Sequence, residues 1–394
     1  MRPEPQAGIG GVQALPLFLL VAGHIVVDAN QNVLPVLLPV AKATFDLTYS
    51  QVGLVAALLS LTSSLAQPIF GWLSDRWRFD WLLAVGVAWT ALFMGTTGVA
   101  PSYPALLLAV GLAGLGTAAY HPKASMGVAA AAGVRKGAAM SLFSAGGNLG
   151  FALGPIAGAF LLSRFGPPGT LGLLLPGVVL AVALLAVRPP RLPRPRLAAG
   201  EHGGEAPVPV LGLSLLILAV SLRSWTYQAT IIFLPFLLAN DRQPAAPSSV
   251  ALFLYLFCGA LGGLLGGTLS DRWGRRSILV GTMITYAPLM LGFQATDGGL
   301  ALLLLALSGA ALLASFSAAV VFAQELLPTR VGLASGLTLG FAFGAGGIGA
   351  GVTGVLIDAV GLEWGMASLS LLPLGAALAC VPLKERRIPA PATG

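Results

Sequence analysis

Gly71-Trp72-Leu73-Ser74-Asp75-Arg76-Trp77 returns later in the chain as Gly267-Thr268-Leu269-Ser270-Asp271-Arg272-Trp273. Position 267 less position 71 is an offset of 196, about half of the 394 residues. Six of the seven positions are identical, and each copy closes one apolar run and precedes the next. A charged loop repeated at the same place in two apolar halves marks a duplicated membrane protein. A weaker echo agrees. Arg135 and Gly137 precede the fifth apolar run, Arg330 and Gly332 precede the eleventh, and 330 less 135 is 195.

The rest of the composition fits lipid as solvent. The chain is 56% hydrophobic and 9% charged, against roughly 25% charged for a soluble protein. A spanning helix needs about 20 apolar residues. Twelve runs qualify, at 14–40, 50–70, 81–100, 104–131, 138–163, 169–187, 210–239, 248–269, 277–295, 299–325, 333–357 and 365–383. Residues 188–209 are the one long polar break, rich in arginine and proline. The expected architecture is an all-α membrane protein of twelve transmembrane helices in two pseudo-symmetric six-helix bundles. Residues 1–187 form the first, 188–209 a cytoplasmic linker and 210–394 the second. No cleavable signal pattern opens the chain, because its first apolar run is too long and no small-residue cleavage site follows it.

The net charge of +7 does not point to nucleic acid, because the basic residues sit in short loops and not on one amphipathic face. They set an orientation instead. With both Ser-Asp-Arg-Trp loops in the cytoplasm, that side holds sixteen of the 21 lysines and arginines, and the outer loops hold only Lys42, Arg164 and Arg242. Both termini and the linker are therefore expected in the cytoplasm, with the chain in the inner membrane. Cys258 and Cys380 lie in apolar runs and give neither a metal spacing nor a disulfide framework. There is no Walker-type phosphate loop, which argues against ATP-driven transport within the chain.

The repeated loop resembles that of the major facilitator superfamily of secondary transporters, approximately G-x-L-x-D-R-x-G-R-R/K. Gly267, Leu269, Asp271, Arg272, Gly274, Arg275 and Arg276 match it in full. In the first copy Gly71, Leu73, Asp75 and Arg76 match, but Arg78 replaces the glycine, and Phe79 and Asp80 replace the basic pair. The resemblance covers essentially the whole chain. It implies a central cavity, rocking of the two halves, and a gating role for Asp75, Arg76, Asp271, Arg272, Arg275 and Arg276, with Gly154 and Pro155 of the fifth run as further gating candidates. The intact second copy is expected to be the better ordered gate. Gly150 to Gly158, around Gly154-Pro155, resembles the G-x-x-x-G-P-x-x-G pattern of drug–proton antiporters. The pattern points toward export, and tight helix packing is the alternative reading of the same glycines. A narrower likeness is to the fosmidomycin-resistance branch, carried by His121-Pro122 in the fourth run and Gly146-Gly147-Asn148 in the fifth. Lys123 stands where that branch commonly has an acid.

Polar groups at membrane depth are costly and need a reason. Of fourteen acidic residues, Asp28 alone lies near the centre of an apolar run. His24 is four residues before it, on the same helix face. A carboxylate in a low-dielectric cavity is expensive to keep charged unless positive charge is near, so its protonation can follow substrate arrival. Asp28, with His24 and His121, is therefore the candidate proton-coupling group. A static ion pair locking helices together is the alternative. Arg223 lies mid-way along the seventh run and needs an anion, either from substrate or from Asp28 itself. Tyr227, Gln228 and Trp225 surround it in sequence. Gln31, Tyr120, Lys123 and Asn148 complete the candidate substrate-binding set, with a snorkelling role open to Lys123 and inter-helix packing open to His121 and Asn148.

The expected function is proton-coupled efflux of a small anionic or amphipathic compound by alternating access. The alternative is a proton symporter importing an organic anion, and a non-transporting membrane sensor is a third. The expected partners are a small-molecule substrate, protons and the lipid bilayer, with no nucleic acid, no cofactor and no metal, and the chain is expected to act as a monomer.

Overall fold

The computed structural model describes residues 12–76, 81–187, 209–239, 247–328 and 331–384; of Asp75, Arg76 and several residues between 331 and 339 it describes the backbone alone. The described residues are helical with short connections and contain no strand. Among the described residues twelve helices are long and apolar enough to cross a membrane. They are α1 (Ala14–Phe45), α2 (Tyr49–Ser74), α3 (Leu82–Val99), α4 (Tyr103–Ala131), α5 (Lys136–Phe165), α6 (Pro167–Val187), α7 (Val210–Ala239), α8 (Ser248–Trp273), α9 (Arg275–Ala295), α10 (Gly298–Leu326), α11 (Gly340–Val360, in a helix that begins at Val331) and α12 (Leu362–Cys380). Each coincides with one of the twelve apolar runs. The first is longer than its run because the helix resumes beyond a break at Val33, with Pro35 in the first turn, and continues to Phe45. Proline is tolerated there because first-turn N–H groups have no helical partner to lose. The chain passes from α8 to α9 through Gly274 at φ 89°, a conformation that favours glycine.

Apolar packing divides the molecule by its ends. One buried cluster draws only on α1, α3, α4, α5 and α6, around Leu20, Leu83, Tyr120 and Phe143. A second draws only on later helices, around Leu216, Met283, Phe322 and Cys380. The third contains residues of both halves, among them Leu34, Val52, Phe233, Tyr255, Ala350 and Ile357. The shared cluster lies at the end where α2 begins and α11 finishes. There the two helices touch closely. A Cβ added at Gly53 would stand 2.7 Å from the carbonyl oxygen of Ala350, and one at Gly347 would stand 2.5 Å from Cβ of Ser60. Small residues permit this approach, which is how membrane helices gain dispersion energy without a hydrophobic drive. Towards the repeated-loop end, a Cβ added at Gly340 or Gly344 meets no described atom within 4 Å. Among the described residues the molecule is thus closed at the end bearing Tyr49, and α11 loses its partner towards the end bearing Asp271, here called the open end.

Candidate functional site

Asp28 sits in α1 at 2% exposure. His24 lies one turn before it, with Nε2 3.2 Å from Asp28 Oδ2. His121, from α4, places its own Nε2 3.1 Å from Asp28 Oδ1. The two rings meet edge to face at 5.0 Å. Behind them, His24 stacks on Phe143 of α5 at 4.0 Å, and its Nδ1 lies 2.7 Å from the Phe143 carbonyl oxygen. A carbonyl only accepts, so Nδ1 carries a proton. Neutral His24 would then face the carboxylate with a bare Nε2 lone pair, acceptor against acceptor. The His24–Asp28 line therefore holds one further proton, on the ring or on the acid. His121 can donate to the other oxygen in its neutral form. The cluster closes as a paired, hydrogen-bonded unit, the condition under which a buried charge is tolerated.

Glycines set this geometry. A Cβ at Gly147 of α5 would lie 2.5 Å from His24 Cε1 and 2.8 Å from Asp28 Oδ2. One turn-pair further on, a Cβ at Gly154 would lie 2.6 Å from the Ala29 carbonyl oxygen and 2.7 Å from Asn32 Cβ. Gly154 and the adjacent Pro155 are both buried. They form part of the seam that seats α5 against α1, and α4 remains helical through Pro122.

The second charged group is Arg223 in α7, 4% exposed. Its Nη2 donates to Ser224 Oγ at 2.9 Å, and its Cζ lies 4.9 Å above the Phe316 ring of α10. Buried Nε has no hydrogen-bond partner. Among the described residues no carboxylate lies within ion-pair distance of the guanidinium. The Asp28–Arg223 pair left open by the sequence is therefore not formed, because Asp28 is occupied by two imidazoles. Tyr227, within reach of the charges of both Arg223 and Asp28, stacks on Tyr255 of α8 at 6.2 Å.

The other sequence candidates separate into two groups. Gln31, Lys123, Tyr227 and Gln228 are half-buried, and Asn148 is exposed beside Gly147. Two others have packing partners instead of an open polar face. The Tyr120 hydroxyl, wholly buried, donates to the Leu20 carbonyl at 2.5 Å. Trp225 Nε1 donates to Thr353 Oγ1 at 2.8 Å, with its ring against Gly349 of α11. Both were expected to bind substrate, and both are positioned to join helices.

At the repeated loop, Arg275 Nη1 reaches Asp271 at 2.5 Å and Ser270 Oγ at 2.6 Å, while its Nε reaches Glu325 at 3.1 Å. Glu325, from the end of α10, joins this ion-pair network, and no motif in the sequence singles it out. Arg272 and Arg276 are exposed. The side chains of Asp75 and Arg76, residues 77–80, the linker at 188–208 and Arg330 lie outside the described residues, and with them the comparison of order between the two loop copies.

No spacing in sequence indicated a metal-ligand set, yet His24, Asp28 and His121 offer three ligand atoms within 4.8 Å of one another. An N,N,O set of this kind is chemically suited to a borderline-soft divalent ion. Both Nε2 atoms also meet a carboxylate oxygen of Asp28.

The family model of the Major Facilitator Superfamily matches residues 20–243 and 216–394. The MFS-type transporter YfnC of Bacillus subtilis (strain 168) is 34% identical over 391 residues, covering 96% of this chain and 95% of its own. The fosmidomycin resistance protein of Escherichia coli (strain K12) is 31% identical over 387 residues, covering 95% of each. Among solved structures, an inward-facing, occupied bacterial homologue of the human lysosomal transporter Spinster superposes with a TM-score of 0.81 at 17% identity. It covers 93% of this chain and 96% of that one.

Proposed function

The chain belongs to the Major Facilitator Superfamily and is a membrane transporter, not an enzyme; we propose that it couples proton movement to the efflux of a small organic anion by alternating access. One observation carries this reading: buried Asp28 lies 3.2 Å from His24 Nε2, a contact that needs a proton between them, while among the described residues no carboxylate pairs with buried Arg223. The first site exchanges a proton. The second accepts the anionic group of a substrate, which supplies the compensating charge the protein withholds. Tyr227, close to both, lets occupancy of one site influence the other. The likeness to a fosmidomycin resistance protein supports export and makes fosmidomycin a rational probe.

In this reading residues 1–187 and 210–394 are the two moving halves, joined by a cytoplasmic linker. Both termini lie in the cytoplasm of an inner-membrane protein that works as a monomer. Basic loop charge supports that orientation, under which the open end faces the cytoplasm. Asp271, Arg275 and Glu325 serve the gate there.

The test is uptake of labelled fosmidomycin into inverted vesicles with an imposed pH gradient. Export requires accumulation driven by an acidic vesicle interior, abolished by collapsing the gradient. Accumulation with the gradient reversed would favour import, and none in either direction would contradict both.

A further inference from the structure

The closed end is held by a contact between the halves that no loop motif announces. Helix α2 begins at Tyr49, and its first N–H groups have no partner within the helix. Thr48 caps one of them, accepting from Gln51 N at 3.2 Å, while Gln51 Oε1 accepts from Thr48 N at 2.9 Å. The N–H groups of Tyr49 and Ser50 are satisfied from the other half of the molecule. Asp358, near the end of α11, accepts from Tyr49 N through Oδ1 and from Ser50 N through Oδ2, each at 2.8 Å. The Ser50 hydroxyl donates to the same oxygen. The carboxylate also faces the positive end of the helix dipole. Lys42 stands over the Tyr49 ring at 4.7 Å and donates to the Leu47 carbonyl, adding positive charge beside the contact.

The contact requires α2 and α11 to be packed together at this end. Positions 340, 344, 347, 351, 354 and 358 recur every three or four residues and so share one face of α11. Gly347, Gly351 and Gly354 of that face lie against α2, where a Cβ at Gly354 would stand 2.8 Å from the carbonyl carbon of Tyr49. Gly340 and Gly344, further along the same face, meet nothing described within 4 Å. A rocking motion that opens the Tyr49 end must withdraw Asp358 from the α2 N-terminus and leave two backbone donors to water.

We propose that Asp358 is an interdomain latch, a positioning residue that stabilises the state closed at the Tyr49 end by capping the other half's helix. This rests on alternating access but not on the identity of substrate or coupling ion. The test uses the full chain in detergent, with Cys258 and Cys380 replaced by alanine and one reporter cysteine per protein. Ala57→Cys reports the closed interface, where Ala57 is buried, and Gly340→Cys reports the open end. With Asp358→Ala, maleimide labelling at position 57 is expected to rise about tenfold and labelling at position 340 to fall, the size following from a charged N-cap contact. Asp358→Asn, keeping one acceptor, is expected to lie between. Gly354→Leu wedges the same helices apart and gives the control. If it moves both reporters in opposite directions while Asp358→Ala moves neither, the latch is wrong and alternation stands. If labelling rises at both ends in Asp358→Ala, the residue is merely structural and the proposal fails. If neither variant moves a reporter, these helices do not part at this end, which overturns the latch together with its premise.

Discussion

Two buried charges lie in opposite halves of this transporter and are treated in opposite ways. Asp28 is enclosed by His24 and His121, both at hydrogen-bond distance, with a backbone carbonyl fixing the outer ring. Arg223 has a serine hydroxyl and an aromatic face, and a buried Nε left without a partner. Charge burial is costly in each case, but among the described residues only the first is answered by an ion-pair partner. A complete cluster that shares a proton suits a ligand as small as a proton. An uncompensated guanidinium suits a ligand that brings its own negative charge.

The comparison can be broken in order of effect. Asp28→Asn should lower gradient-driven fosmidomycin accumulation by roughly a hundredfold, as expected when a positioned proton-transfer group is removed. Unchanged accumulation would take Asp28 out of the coupling. Arg223→Ala should weaken fosmidomycin binding roughly 30-fold, measured by calorimetry, since it deletes the charged partner of a buried anion. Its melting temperature should hold, because no carboxylate is stranded by the change; a large fall would indicate a structural pair instead. Gly147→Ala should reduce transport about tenfold by pushing a methyl group against His24 and Asp28, an overpacking cost of about 1–3 kcal/mol. Equal transport by this variant would mean that the cluster tolerates displacement. Trp225→Phe should leave binding unchanged and cost about 1 kcal/mol of stability for the lost bond to Thr353. Weakened binding would return Trp225 to the substrate site.

The twelve helices were legible because a spanning run is a local property of about 20 residues. Asp28 was legible for a related reason, being the one acid far from any loop. Its full environment was not. His24 follows from helical spacing and His121 joins it as a candidate, but the direct contact of His121 with Asp28 depends on how α4 packs on α1, and the Phe143 carbonyl is a backbone group with no side-chain signature. Asp358 was hidden more deeply. Its partners are amides 308 and 309 residues away, so its sequence neighbourhood shows only an acid at a helix end. The same holds for Glu325, whose role depends on Arg275 lying 50 residues earlier. Tyr120 and Trp225 illustrate the reverse limit. Their composition suited a cavity, but the close approach of α1 to α4 and of α7 to α11 gave their polar atoms fixed partners first. The repeated loop identified the family and the axis of the duplication, while the chemistry lies between its copies.

The central claim is that proton and substrate anion occupy separate clusters in separate halves. It is tested most directly by comparing gradient-driven accumulation with equilibrium exchange of labelled fosmidomycin in proteoliposomes, for Asp28→Asn and Arg223→Ala side by side. Asp28→Asn should lose accumulation and keep exchange, because exchange needs the anion site alone. Arg223→Ala should lose both. Accumulation retained by Asp28→Asn, or exchange lost equally in the two variants, would contradict the separation.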